Sequence, residues 1–551
     1  MKNTIILISI ILFINNNNAI SQNKIPSEKP KLIIGIVIEQ MRYDYINRFW
    51  EKFEKNGFKR LINEGTFCKN TNINYMFTQT APGIASIYTG TTPSMHGIIA
   101  NDWYTSLGKK EKNAVVDANF KAIGTNNKNG NFSPVNILTT TINDELKISD
   151  RKSKVYSVSI SELSSVLGGG HLANGSFWWD EESGKWISST YYYKDSLPNW
   201  INEFNNKLFH ETYLAKEWNT LLPTNQYTES TLDSAKYEYG IGKNRQTYFP
   251  YNIAEMSNIL KTNKSYSLLK DIPFGNNFTK DFAIATIVNE KLGKDEHTDF
   301  ISISFSPTQN IGQKFGPNSV EIEDTYLRID KELSHFLTFI DENIGKENTL
   351  VFLTSDHGVA EIPKYLDEIK IPSGKFNANY SMAILKTYLN AIYGEGDWVL
   401  KYTDQQIYLN TNLIEDSRLS LKDIQDKVAL FMLQFDAIAS AITSTQMVQS
   451  NFTDGVFKKM QNSFNQKQSG DVMINLKPGY IEDVKYATYS NSPYTYDSHI
   501  PLIWYGWKIN RRTIYRDINI TDIAPTISSL LNISFPNGYT GKPIFELLEN
   551  K

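Results

Sequence analysis

Short apolar runs punctuate the chain, separated by longer stretches with helical spacing. Residues 31–40 (KLIIGIVIEQ) are almost unbroken in β-branched and aliphatic side chains, and 154–160, 299–305 (DFISISF), 349–354 (TLVFLT) and 500–504 read as further strands. Continuous apolarity over such lengths fits strands buried on both faces, as in a parallel sheet. Between them lie helix-like patterns at 45–64, closed by Gly65, at 134–147, at 277–293 with a stop at Gly293, at 320–344 and at 521–531. Strands alternating with helices predict an α/β fold with a mainly parallel central sheet flanked by helices. Two tracts, 176–212 and 226–252, are rich in Trp, Tyr, Asn and Gly and weakly periodic, which predicts loops and hairpins at the sheet edge. From 364 to 490 the pattern changes: an alternating run at 398–409, a helix at 421–435 and a polar Asn/Gln/Ser segment at 461–469 suggest an inserted smaller subdomain, a cap or lid. No internal repeat is visible.

Composition narrows this picture only a little. The 551 residues are 40% hydrophobic and 21% charged, with a formal net charge of -3. That balance suits one large α/β domain with insertions, or two domains. Lys and Arg are spread along the chain, so neither nucleic acid nor an anionic membrane is expected as a partner. The N-terminus changes the picture more. Lys2, an apolar run at 5–14 and Ala19-Ile20-Ser21 have the order of a secretory signal over 1–21, with the mature domain running 22–551. Cys68 is the single cysteine, so no intrachain disulfide forms. The expected product is exported, periplasmic or secreted, without a membrane-inserted segment.

The chemistry concentrates around residues 74–104. Thr80 precedes Ala81-Pro82-Gly83 and a helical run at 84–89 closed by Gly90. Thr suits an N-cap, and Pro is tolerated in a first helical turn. A hydroxyl there would sit beside free N–H groups, an anion site, where a phosphoryl-transfer nucleophile could work. A capping Thr with no further task fits these residues as well. Glu39, Asp356, His357 and His499 all lie at strand ends, where ligands bind in this architecture. Carboxylate and imidazole together suit zinc, with Glu39, Asp356 and His357 as ligands and the Thr80 oxygen in the open place. His499 could serve a second ion.

The segments TQTAPGIASIYTGTTPSMHGIIANDW, FLTSDHGVAE, YDSHIPLIWYG and TDIAPTISSLL resemble, in this order, the alkaline phosphatase superfamily, especially its periplasmic zinc-dependent phosphatases of Bacteroidetes type with a Thr nucleophile. The likeness runs over nearly all of the chain after the signal. It implies phosphomonoester hydrolysis by two zinc ions through a phospho-threonine. Thr80 matches the nucleophile and Asn101 the residue that contacts phosphoryl oxygens. Asp356, His357 and His499 match metal ligands. The nucleophile stretch lacks the Cys/Ser-x-Pro-x-Arg pattern of sulfatases.

The chain also departs from that family. Glu39 stands for an Asp ligand, Gln309 and Gln313 for an Asp and a His of the other zinc site, and Ser161 and Leu163 for a Lys and an Arg that face the phosphoryl group. Glu for Asp keeps charge and donor atom. Amide oxygens are poor zinc ligands, so one zinc is expected and a second half-site weak or empty. These losses remove several kcal/mol of electrostatic stabilisation. Two readings follow: a non-catalytic relative that binds a phosphorylated small molecule or a protein partner, which the losses favour, and a slow or specialised one-metal phosphoesterase or phosphodiesterase.

Overall fold

Leu32–Ile38 lies at the middle of the main sheet, paired in parallel with Asp299–Phe305 on one side and Thr349–Thr354 on the other. Val155–Ser159 continues in parallel beyond Asp299–Phe305, followed by Gly175–Asp180. The opposite half turns antiparallel, with His499–Gly506 beside Thr349–Thr354 and Thr66–Asn72 beside His499–Gly506. Short edge strands complete a mixed, mostly parallel sheet of eleven strands. The architecture is that of a computed structural model describing residues 28–105, 108–127, 130–261 and 265–549; the predicted signal at 1–21 lies outside them. No helix among the described residues is long and apolar enough to cross a membrane.

Every residue of Leu32–Ile38 is buried, and alternation along the strand feeds two cores. Leu32, Ile34, Ile36 and Ile38 pack with Tyr45, Phe49, Phe315 and Tyr326, under the helices Phe274–Asn289 and Val320–Asn343. Ile33 and Val37 face Ile84, Tyr88, Ile523 and Ile527 of the helices Thr80–Thr89 and Ile523–Leu531. Full burial of such side chains contributes about 1.5–3 kcal/mol each, so this strand fixes the register of its neighbours.

Three predicted elements differ. The 45–64 pattern breaks into Asp44–Arg48, a short 3-10 turn and Phe58–Glu64; Phe53 is extended, and the Asp330 carboxylate accepts the Phe58 N–H at 2.7 Å to start the last piece. The expected 134–147 helix begins only at Ile142, where Thr141 and Asp144 form a capping box. In the 176–212 tract the expected edge hairpin forms, Gly175–Asp180 antiparallel to Lys185–Ser189 near one end of the main sheet, but two helices follow where loops were expected. Trp178 fills one core while Trp179 and Trp186 fill the other, so both faces are apolar and the period disappears.

Within 364–490, Val399–Thr403, Gln406–Leu409, Val472–Leu476 and Ile438–Thr443 form a separate four-stranded antiparallel sheet. It has its own core, including Leu385, Leu389, Val428 and Met432. A smaller cluster joins Met447, Met460 and Met473 to Met76 and Phe77, just ahead of Thr80.

Candidate active site

The parallel strands deliver their next residues to one rim: Glu39 after Leu32–Ile38, Asp356 and His357 after Thr349–Thr354, Ser161 after Val155–Ser159, and Gln309 after Asp299–Phe305. The helix Thr80–Thr89 packs directly on this rim at Gly83. A Cβ there would lie 2.5 Å from the Asp356 carbonyl oxygen and 2.7 Å from its Cβ, so only glycine permits the approach.

Glu39 is buried, and its Oε1 accepts the hydroxyls of Ser164 (2.6 Å) and Ser304 (2.8 Å). Burial, and then the charge of Asp356, raises its carboxyl to about 8 against these two hydrogen bonds. Gln40 adopts φ of 63°, which turns its N–H onto Asp356 Oδ1 at 2.9 Å. The same oxygen accepts the His357 N–H at 2.9 Å.

Two atoms of this pair have no partner. Asp356 Oδ2 and His357 Nε2 are both buried without a hydrogen bond, 3.4 Å apart. His357 Nδ1 faces the Gly358 carbonyl at 2.7 Å. A carbonyl only accepts, so Nδ1 carries a proton, and in the neutral imidazole Nε2 then presents a lone pair. Two adjacent buried acceptors with nothing between them suit a cation, and an imidazole tied back to a carbonyl is how metal-ligating His is oriented. No set of three His, Cys, Asp or Glu side chains among the described residues is spaced to hold an ion unaided. Asp356 and His357 are candidates for two ligands of such an ion, and Glu39 and the Thr80 hydroxyl for the rest of its shell.

Thr80 is the first residue of its helix, not the N-cap. Gln79 holds that place, extended and without a side-chain cap bond. Nor are the neighbouring N–H groups free for an anion. Ala81 N–H donates to Asn101 Oδ1 at 2.8 Å, Gly83 N–H donates to Gln79 O, and Pro82 has none. The arrangement instead orients Asn101, whose Nδ2 donor is left over. The Thr80 hydroxyl donates to Gln309 Oε1 at 2.7 Å. Gln309 and Gln313 share a face of the helix Pro307–Phe315. Ser161 caps the helix Glu162–Gly169 by accepting the Ser164 N–H, and Leu163 packs against the core.

Thr80, Glu39 and Gln309 line a cavity of about 200 Å³ with Ser161, Glu162 and Lys270. Lys270 escaped the sequence reading because it arrives from a distant 3-10 turn, Ser267–Asp271. Its ammonium pairs with Glu181 at 2.9 Å, and Glu162 and Glu181 outweigh burial to raise its pKa. The His499 side chain makes no hydrogen bond to these residues. Its Nε2 meets the Lys69 carbonyl at 2.9 Å and its ring stacks on Tyr43, 4.1 Å between centroids.

Residues 33–490 match the family model for type I phosphodiesterase / nucleotide pyrophosphatase. The chain is 38% identical over 529 residues to the alkaline phosphatase PafA of Elizabethkingia meningoseptica, covering 96% of this chain and 95% of that one. It is 39% identical over 525 residues to the alkaline phosphatase PhoV of Synechococcus elongatus, covering 95% and 93%. The crystal structure of PafA superposes with a TM-score of 0.90 at 38% identity, over 95% of this chain and 99% of that one. The chain belongs to the type I phosphodiesterase / nucleotide pyrophosphatase family of the alkaline phosphatase superfamily.

Proposed function

We propose that this protein is an exported phosphoesterase that works slowly through Thr80 with a single divalent cation, zinc, held by Asp356, His357 and Glu39 against the Thr80 oxygen. The unpartnered pair Asp356 Oδ2 and His357 Nε2 carries this reading. Each buried polar atom without a partner costs about 1–3 kcal/mol, a cost that a cation between them removes. Bound zinc supplies Lewis acidity that makes the Thr80 hydroxyl ionisable near neutral pH.

The chain's own residues then define the reaction. Thr80 Oγ loses its proton to water and attacks phosphorus, forming a phosphorylated threonine as the ester P–O bond breaks, and the leaving alkoxide takes a proton back from water. Water cleaves this intermediate in the second step, returning a proton to Thr80 Oγ and freeing a phosphate monoester from a diester substrate, or phosphate from a monoester. Asn101, oriented by Ala81 N–H, offers Nδ2 to a non-bridging oxygen. Gln309 holds the Thr80 hydroxyl by its proton before attack. With Ser161 and Leu163 neutral, Lys270 is the one cation on the cavity wall, beside Glu39 and Glu162. A phosphodiester, carrying one charge, is favoured over a doubly charged monoester.

One observation favours a second reading. Gln309 occupies the Thr80 hydroxyl, and neither Gln309 nor Gln313 brings charge to a second ion, which suits a non-catalytic protein that binds a phosphorylated ligand or a protein partner. Metal analysis and turnover separate the two. The phosphoesterase has about one zinc per chain and hydrolyses bis(4-nitrophenyl) phosphate, and Thr80→Ala abolishes this. Turnover that survives Thr80→Ala, or zinc-free protein that keeps full activity, refutes the proposal.

A further inference from the structure

The hydrogen bonds behind Asn101 lead out of the main sheet and into the separate four-stranded sheet. Asn101 N–H donates to Gln79 Oε1 at 2.8 Å, and Gln79 Nε2 donates to Asp404 Oδ1 at 2.7 Å. Asp404 belongs to the two-residue turn between Val399–Thr403 and Gln406–Leu409. Both turn residues have positive φ, 48° at Asp404 and 59° at Gln405. Such turns favour Asn, Asp and Gly, and a Gln in this region is strained. Strain of this kind persists where the surroundings over-determine it. Here Gln405 Nε2 donates to the Asn491 carbonyl at 2.7 Å, and its Oε1 accepts the Leu476 N–H at 3.3 Å. Thr78 Oγ1 accepts the N–H groups of Asn491 and Ser492, at 3.0 Å each. The turn, the 491–492 loop and residues 78–79 thus form one hydrogen-bonded block.

A side-chain amide can be placed either way round, and its neighbours decide which. Asp404 is held as a carboxylate above about 6, the value to which burial raises it, and a carboxylate only accepts. Gln79 Nε2 must therefore face Asp404, which commits Oε1 to the Asn101 N–H. Gln79 is 3% exposed, so no solvent competes. We infer that Asp404 is a positioning residue: through Gln79 it fixes the backbone and amide of Asn101, so that the inserted subdomain completes a site otherwise built on the main sheet.

The kinetic part of the test rests on the phosphoesterase reading; the exchange part does not. In the zinc-loaded full chain at pH 8, Asp404→Ala lowers kcat for bis(4-nitrophenyl) phosphate by roughly 10- to 100-fold, the scale of a small misplacement at a reacting centre, with a smaller change in KM. Asp404→Asn, whose amide oxygen still accepts, keeps most of the activity. Gln79→Ala reproduces the loss, and adding Asp404→Ala to it costs nothing more, because the two act in series. Lys401→Ala, which removes an exposed ion pair to Glu111 in the same hairpin, leaves turnover unchanged. Amide hydrogen exchange over residues 78–104 is faster in Asp404→Ala and in Gln79→Ala than in wild type, and unaltered in Lys401→Ala. An inactive wild type would sink the phosphoesterase reading and leave the exchange comparison intact. Unchanged exchange in both Asp404→Ala and Gln79→Ala, or additive kinetic losses, overturns the inference.

Discussion

Replacing Glu39 by Gln in metal-free protein tests the cation site through stability rather than activity. The folded state holds the Glu39 carboxyl at about 8, against 4.5 for the free group. At about 1.4 kcal/mol per tenfold change in proton affinity, the folded state forfeits up to about 5 kcal/mol once the unfolded chain can ionise and the folded one cannot. The sign follows from proton counts. Between about 4.5 and 8 the folded chain holds a proton that the unfolded chain has released, so stability falls as pH rises across that interval and levels off above it. Below 4.5 both states are protonated and the full stability is present. Glu39→Gln keeps the shape, stays neutral and removes this slope. Other buried carboxyls, including Asp497 at about 7 and Glu321 at about 8, titrate in both proteins and cancel in the difference. Urea midpoints in EDTA at pH 5 and pH 8 give the comparison: near-equal stabilities at pH 5, with the variant ahead at pH 8. Zinc at a hundred times its Kd should then return about 2.7 kcal/mol to wild type at pH 8 and less to Glu39→Gln. A variant less stable than wild type at pH 8 in EDTA, or a wild type indifferent to zinc, refutes the idea that this carboxylate awaits a cation.

Gly83→Ala drives a methyl group into the Asp356 backbone and should cost at least 1–3 kcal/mol, with zinc affinity reduced about 10- to 100-fold as the ligand loop shifts; thermal denaturation and zinc titration read both. Gln309→Asp with Gln313→His places a carboxylate and an imidazole on one helix face, so zinc content should rise from one towards two per chain and monoester turnover by about 10²-fold. Unchanged zinc content would show that this helix face does not address an ion. Ser161→Lys with Leu163→Arg should raise monoester turnover more than diester turnover, because the doubly charged substrate gains more from added cations. The same pair should lower stability by about 0.5–2 kcal/mol through loss of the Ser161 cap.

The parallel core and its rim were legible because buried strands carry unbroken apolar runs, and Glu39, Asp356 and His357 follow two of them immediately. Thr80 was legible at a helix start but not as the first helical residue, since Gln79 takes the cap position by backbone geometry rather than by side-chain type. His499 has the strand-end position of a ligand, yet the antiparallel pairing of its strand with Thr66–Asn72 sets its ring beside Tyr43 and Lys69. That pairing joins segments more than 400 residues apart and leaves no local pattern. The Gln79–Asp404 contact spans 325 positions and is equally invisible in the order of residues. The edge hairpin of Gly175–Asp180 and Lys185–Ser189 was legible in kind but not strand by strand, because a tryptophan-filled sheet with two apolar faces shows no alternation.

Gly83 lies against the main chain and Cβ of Asp356, atoms that every residue but glycine would share. The close approach of the Thr80 helix to the Asp356-His357 loop consequently does not rest on the side chains at 39, 161, 163, 309 or 313. Such a frame tolerates exchange of its reactive groups while keeping its shape, so a lineage can alter metal number or substrate charge by point changes alone, and an engineer can do the same without redesigning the backbone.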